Sequence, residues 1–236
     1  MPASTPELST TPVIVLCGGA GSRMTELTGD TRPKHLLRAG GRAVLEHAIE
    51  PLMPAGQIIL ATGNHADQIE AFVANTFDKD KVICSAEPRP LGVIGALSRI
   101  LVEHAIDGQF IIANGDEITP GLDLSAMRQS HQHSGAELTV LTATKTAGIK
   151  DFSFTIDGGG RATSLRRTDE LLDDESASNF GIGTFFCEQS AIDTMQASPD
   201  WTSFLRAMLQ DRRLGVYVTD TVFYNLNRPA DLQALA

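Results

Sequence analysis

Residues 13 to 24 read Val-Ile-Val-Leu-Cys-Gly-Gly-Ala-Gly-Ser-Arg-Met, and the chain continues to Thr31-Arg32-Pro33-Lys34. Val13 to Leu16 is a largely β-branched apolar run and predicts a short buried strand. Gly18, Gly19 and Gly21 follow at once, then Ser22 and Arg23. Glycines just past a strand let backbone N–H groups come close to a phosphate that a Cβ would hold off. Arg23 and Lys34 add the positive charge a triphosphate requires. The competing reading is a glycine turn with two solvated cations.

Two other glycine loops do not fit. A P-loop needs Gly, four residues, then Gly-Lys-Ser/Thr, and no such run occurs. A dinucleotide loop starting at Gly19 and Gly21 would put Met24 where a third small residue belongs, and Ala61-Thr62-Gly63-Asn64 lacks the acidic ribose ligand. The segment instead resembles the nucleotidyltransferase family that makes nucleotide sugars, whose signature runs Gly-Gly-x-Gly-Thr-Arg-Leu/Met, a spacer, then Pro-Lys-Pro-Leu. Gly18-Gly19-Ala20-Gly21-Ser22-Arg23-Met24 and Pro33-Lys34-His35-Leu36 match it, with Ser22 for Thr, His35 for the second Pro and Glu26 for a Pro after the Arg.

The chain has 236 residues, enough for one domain with a sizeable core. A net charge of −10 and the lack of a Lys/Arg cluster argue against a nucleic-acid binder, while a nucleotide site needs only a few local cations. Cys17, Cys84 and Cys187 are odd in number and lie in or beside apolar runs, so they read as buried thiols of a reducing, cytoplasmic compartment. No apolar stretch reaches the roughly 18 residues needed to span a membrane. Met1 to Thr11 is rich in Ser, Thr and Pro without a leader pattern and is expected to be a loose tail.

Along the chain, helical spacing covers Ala43 to Met53, and Gln57 to Ala61 reads as a strand. Asn64 is placed to cap a helix carrying Ile69, Phe72, Val73 and Phe77 on one face. Lys81 to Ser85 is a strand, Gly92 to Ala105 a helix and Gln109 to Ala113 a strand. This alternation predicts right-handed βαβ units and a Rossmann-like three-layer α/β/α fold with a mostly parallel central sheet. Ligands then sit outside the carboxyl ends of the strands. From residue 137 the character changes to a small β-rich insertion on the substrate side. Glu137 to Lys145 is strand-like, Phe152 to Ile156 and Arg161 to Leu165 form a hairpin, and Phe180 to Cys187 is a strand. Trp201 to Leu209 is a helix, Val216 to Leu226 a strand region, and a short helix starts at Pro229. Thr168 to Ser178 holds five acids and reads as a lid, a metal cluster or a solvated loop. Residues 12–236 are therefore one domain, with about 12–136 as the nucleotide-binding half and 137–236 as the acceptor-binding half.

Asn114-Gly115-Asp116 follows an apolar strand, where an acid can hold a hard cation or simply cap a turn. The resemblance makes Asp116 a magnesium ligand. Glu87-Pro88-Arg89-Pro90-Leu91-Gly92-Val93-Ile94-Gly95-Ala96 resembles the family's Glu-x-Pro-Leu-Gly-Thr-Ala-Gly-Ala, which borders base and sugar. Asn225-Leu226-Asn227-Arg228-Pro229-Ala230-Asp231 stands where the family has Asp-Ile-Gly-Thr-Pro-Glu-Asp. Anchored on Pro229, Asn225 takes the place of the second metal ligand, with Asn227 as the alternative. The family's Glu-Lys-Pro is missing, and Arg167 lies where its cation would fall. The resemblance thus implies Arg23, Lys34 and Asp116 as catalytic residues, and Mg2+ on Asp116 and Asn225. It puts Leu16, Cys17, Gly18, Gly19, Gly21, Ser22, Glu87, Gly92, Asn114 and Gly115 at the nucleotide, and Gly95, Arg167 and Asn179 at the acceptor.

The implied reaction joins a sugar 1-phosphate to the α-phosphorus of a nucleoside triphosphate and releases pyrophosphate. A phosphate ester is already anionic at neutral pH, so no general base is needed, and the absence of a Ser/His/Asp set is no objection. The partners expected are a nucleoside triphosphate and a phosphorylated small molecule, without nucleic acid or membrane, for a monomer or homodimer. A phosphonate, cyclitol phosphate or amino-alcohol phosphate is the rival acceptor. A non-catalytic nucleotide-binding module is the second rival.

Overall fold

In the computed structural model the described residues are 7–19, 24–29, 31–144, 146–148, 152–167 and 179–233. Their first half alternates strand and helix. β1 (Val13–Cys17) is followed by the short α1 (Thr25–Thr28), the β2 (Arg38–Ala39) and β3 (Arg42–Ala43) hairpin, and α2 (Val44–Ile49). Next come β4 (Ile58–Thr62), α3 (Ala66–Thr76), β5 (Val82–Ala86), α4 (Gly92–Glu103) and β6 (Phe110–Asn114). β5, β4, β1 and β6 lie side by side and all parallel, with Val15 opposite Leu60 and Ala113.

The second half continues the same sheet. β7 (Glu117–Ile118), α5 (Leu124–Ser134), β8 (Leu138–Ala143) and β9 (Thr146–Gly148) precede the hairpin of β10 (Phe152–Ile156) and β11 (Ala162–Arg167). β12 (Phe180–Cys187), α6 (Ile192–Ala197), α7 (Trp201–Gln210), β13 (Leu214–Thr219), β14 (Phe223–Asn225) and α8 (Pro229–Gln233) complete the order. β12 lies antiparallel to β6 and also pairs with β8 and β10. The described sheet thus reaches nine strands, while β7, β14 and β9 form a separate small sheet beside the strand ends.

Both faces of the sheet are covered, which is why β1 has no polar alternation. Val13 and Val15 join Leu45, Ile49, Ile69, Val73 and Met127 on the face under α2, α3 and α5. Ile14 joins Leu97, Ile100, Phe110, Met195 and Phe204 on the face under α4, α6 and α7. This is the expected three-layer arrangement.

Several local expectations change. His65, at φ 57, precedes α3 and no side chain caps it, so Asn64 is not the cap. The region 216–226 is two strands, β13 and β14, belonging to different sheets. α5 is a helix the sequence reading passed over: only Leu124, Met127 and His131 are buried, too thin a stripe to announce it. Asp123 caps it, accepting from Ala126 N at 2.9 Å. Of the stretch read as a tail, Leu8–Thr10 forms a 3-10 turn, and the carbonyl of the buried Thr11 accepts from Gly56 N at 2.7 Å. The acidic run 169–175 lies outside the described residues.

Phe204 is fully buried between α7 and the sheet. Phe204→Ala should lower the unfolding free energy by about 3–5 kcal/mol, measured by urea denaturation, because the cavity adds to the lost burial.

Candidate active site

β1, β4 and β6 end at one level, so their following residues share one rim. Gly18 and Gly19 leave β1, Gly63 leaves β4, and Gly115-Asp116 leaves β6. Gly115 N donates to Leu16 O at 3.0 Å. A Cβ on Gly115 would stand 2.5 Å from Cys17 Sγ and 3.1 Å from His35 Cδ2. Only glycine lets the Lys34–Leu36 turn pack this tightly on the end of β6. That packing brings Lys34 Nζ onto Asp116 Oδ2 in an ion pair whose side chains are 13% and 14% exposed. Lys34 Nζ also lies 3.5 Å from Asn227 Oδ1.

Beside this pair sits Glu117, which the sequence reading did not single out. Its Oε1 accepts from Asn114 Nδ2 at 3.0 Å and from Asn225 Nδ2 at 3.3 Å. Its Oε2 accepts the backbone N–H of Gly183. A Cβ on Gly183 would run into the Asn114 amide, so the glycine inside β12 is the trace this contact leaves in the sequence. Asn227 Nδ2 donates to Asn225 Oδ1, and Leu226 N donates to Asp116 O at 3.0 Å.

Three hollows surround the rim. The largest, about 710 Å3, is walled by Gly18, Gly19, Gly63 and Asn64 on one side and Glu87 to Pro90 on the other. Glu87 lies against the backbone there, 2.6 Å from where a Cβ on Gly63 would be, and its Oε2 accepts from Leu91 N at 3.1 Å. A smaller hollow of about 130 Å3 has Asn114 and Glu117 at one end and Phe152, Phe154, Phe185 and Trp201 around it. Leu16 and Val93 border both. A third, of about 680 Å3, carries Arg167 and Arg206 and meets the other two at Val93.

The buried groups under the rim are poised by desolvation. His35 is 2% exposed, burial pushes its imidazole down to about 4 against the opposing pull of Asp116, and its Nδ1 has no partner among the described residues. Burial pushes the Cys17 thiol well up, with Asp116 adding to the effect, so it packs and does not react.

The structure therefore brings Leu16, Gly18, Gly19, Glu87 and Gly92 to the large hollow, and Lys34, Asp116, Asn114 and Asn225 into one network. Gly115 and Cys17 serve that network by close packing. Gly95 lines none of the three hollows; a Cβ there would stand 2.9 Å from Leu91 Cβ, so it packs within α4's first turn. Asn179, at φ 58, turns its amide back to Phe154 O at 3.4 Å and lies outside the smaller hollow. Arg167 borders the third hollow. Gly21, Ser22 and Arg23 lie outside the described residues.

The donor chemistry suits a hard divalent cation. Asp116 supplies a carboxylate and Asn227 a carboxamide oxygen facing the same point, while Asn225 Oδ1 accepts from Asn227 Nδ2. One carboxylate with amide and phosphate oxygens is a usual magnesium environment. The described residues contain no group of three or more His, Cys, Asp or Glu able to form a cage. No described helix is long and apolar enough to cross a membrane.

The profile of the MobA-like NTP transferase domain matches residues 13–219. A mannose-1-phosphate guanyltransferase of Schizosaccharomyces pombe is 27% identical over 233 residues, 92% of this chain and 61% of that protein. The chain thus spans about three fifths of the length of that relative. The bifunctional protein GlmU of Paracidovorax citrulli is 29% identical over 140 residues, 58% of this chain and 28% of that protein. Among solved structures, HddC from Yersinia pseudotuberculosis complexed with GMP-PN superposes with a TM-score of 0.71 at 23% identity, covering 96% of this chain and 98% of that one. A glucose-1-phosphate thymidylyltransferase from Bacillus anthracis gives 0.78 at 16% identity, covering 96% and 94%. These superpositions show the shared fold.

The unfolded chain protonates His35 near 6.5, whereas the folded chain resists to about 4. Stability from keeping this ring neutral is complete above 6.5 and is lost as pH falls toward 4, on the order of 3 kcal/mol in all. His35→Leu should remove that component. In urea unfolding the variant should gain on the wild type between pH 7 and pH 4.5.

Proposed function

The chain belongs to the MobA-like NTP transferase domain family, and from that premise we propose that it transfers a guanylyl group from GTP to a hexose 1-phosphate, releasing pyrophosphate. The observation that carries the reading is the Lys34–Asp116 pair at the carboxyl ends of β1 and β6, with the glycine-walled hollow on one side and the aromatic hollow on the other. The large hollow suits a nucleoside. Its floor is backbone at Gly18 and Gly63, and Glu87 offers a carboxylate for paired N–H donors such as guanine N1 and N2. The guanyl chemistry named for the S. pombe relative and for the HddC complex agrees with that choice of base. The smaller hollow offers Phe152 and Trp201, the two partly exposed rings on its wall, to the C–H face of a sugar ring, with the acceptor phosphate toward Lys34.

In this scheme the acceptor phosphate needs no base. Lys34 exchanges its bond to Asp116 for the incoming phosphate and the α-phosphate, and holds them in line. The amides of Gly18 and Gly19, with Arg23, hold the triphosphate and take up the charge of the leaving pyrophosphate. Asp116, with Asn225 or Asn227, would hold Mg2+, and the ion would neutralise charge on the reacting phosphates when bound. Glu87 and Asn64 hold the base end away from the chemistry, and the aromatic walls exclude water from the acceptor side.

Pyrophosphate release from GTP with mannose 1-phosphate and magnesium tests the assignment; no release with any phosphate ester would overturn it. Asp116→Ala should lower turnover on the order of 10²-fold or more and, by leaving Lys34 without its partner, should lower the thermal midpoint as well. Glu87→Gln should erase the preference for GTP over inosine triphosphate, which lacks the 2-amino group, by roughly tenfold to hundredfold in kcat/KM. Equal preference in wild type and variant would remove Glu87 from base recognition.

A further inference from the structure

A one-way chain of hydrogen bonds runs from Glu117 to the cation pair. Glu117 Oε1 accepts from Asn225 Nδ2 at 3.3 Å. Asn225 Oδ1 accepts from Asn227 Nδ2, and Asn227 Oδ1 faces Lys34 Nζ at 3.5 Å. Lys34 in turn holds Asp116.

A carboxamide carries oxygen on one side and NH2 on the other, and its shape alone does not say which way it lies. The neighbours decide. A carboxylate only accepts and an ammonium only donates. With Glu117 at one end and a cation at the other, both amides must turn NH2 toward Glu117 and oxygen toward the cation. Asn225 and Asn227 are 3% and 7% exposed, so water cannot make good a reversed amide. Glu117 is itself anchored by Asn114 Nδ2 and by the Gly183 N–H, which tie it to β6 and β12.

We propose that Glu117 is a positioning residue that fixes the direction of the Asn225–Asn227 relay, so that Asn227 Oδ1, and not Nδ2, faces the cation bound at Asp116. The relay acts on whatever cation stands there: the Lys34 ammonium in the free protein and a divalent metal with substrate. The proposal rests on reading Asp116 as a divalent cation site. Glu117 acts through the two asparagines, and its charge matters because it allows no donation.

Mn2+ is the probe, titrated as its GTP complex into the whole chain and followed by electron paramagnetic resonance, with thermal unfolding as the control for folding. Glu117→Gln introduces a donor, permits the reversed relay and should weaken Mn2+ binding roughly tenfold to hundredfold. Asn227→Asp presents oxygen whichever way the relay runs. In that background Asn225 stands between two acceptors, and Glu117→Gln lets it turn and donate to the new carboxylate, so the second change should not weaken Mn2+ binding. This rescue is the result a merely structural role would not give. Equal losses in both backgrounds, or unchanged binding in Glu117→Gln, would overturn the proposal and leave the cation site standing. A wild type that binds no Mn2+ would overturn the cation site and the proposal together. If Glu117→Gln does not fold alone, Asn225→Leu cuts the relay while sparing the bonds of Glu117 to Asn114 and Gly183. It should show the same loss and the same rescue, and retention of wild-type affinity would overturn the proposal.

Discussion

β1 lies between β4 and β6 in parallel register, Leu16 beside Ala61 and Asn114, and this pairing is what the rest of the molecule depends on. Parallel strands paired in this way finish at one level, so three separate turns open onto one rim. A one-residue slip would exchange the faces of β1, moving Val13 and Val15 away from Leu45 and Ile49. It would also break the bond from Gly115 N to Leu16 O that sets Asp116 beside the glycine turn. Core and site are specified by the same register.

The polar network sits where the two halves of the chain meet, and its placement explains the glycines around it. Gly115 admits Cys17 and His35 on one side, and Gly183 admits Asn114 and Glu117 on the other. A side chain at either position would push these packed neighbours aside. The Lys34–Asp116 pair is mostly shielded from water, a position in which an ion pair adds little net stability and one left without its partner is costly. Such a pair is suited to being traded for phosphate and metal.

The β12 side of the rim is built differently. β12 enters antiparallel, pairs with β6, β8 and β10, and shifts register against β8 between Gly181 and Phe185. That irregularity clears the small hollow under Phe152 and Phe154. The distal end of the sheet carries a separate buried cluster in which His131 bonds Thr139 Oγ1 at 2.7 Å and Glu188 Oε1 at 3.0 Å while stacking on Phe186. Its partners account for that histidine fully, far along the strands from the rim.

The three-layer fold was legible in the sequence because each βα unit announces itself locally: an apolar run such as Val13–Cys17, a turn, and a helical stripe such as that of Gly92–Glu103. Lys34, Asp116 and Glu87 stood out in the sequence through the resemblance of their short motifs to the nucleotidyltransferase signature, and the structure places all three around the rim. Local pattern did not reach Glu117, whose role comes from three donors on β6, β14 and β12 that are up to 108 positions away in the chain. Nor could it show that Gly95 and Asn179 turn to packing and backbone contacts, because spacing records where a residue lies along the chain and not which way it faces. The sequence by itself determined the strand order signals and the charges at the strand ends. Only the tertiary structure decided which carboxamide oxygen meets the cation, because the direction of a hydrogen-bonded amide is set by neighbours that the fold brings together.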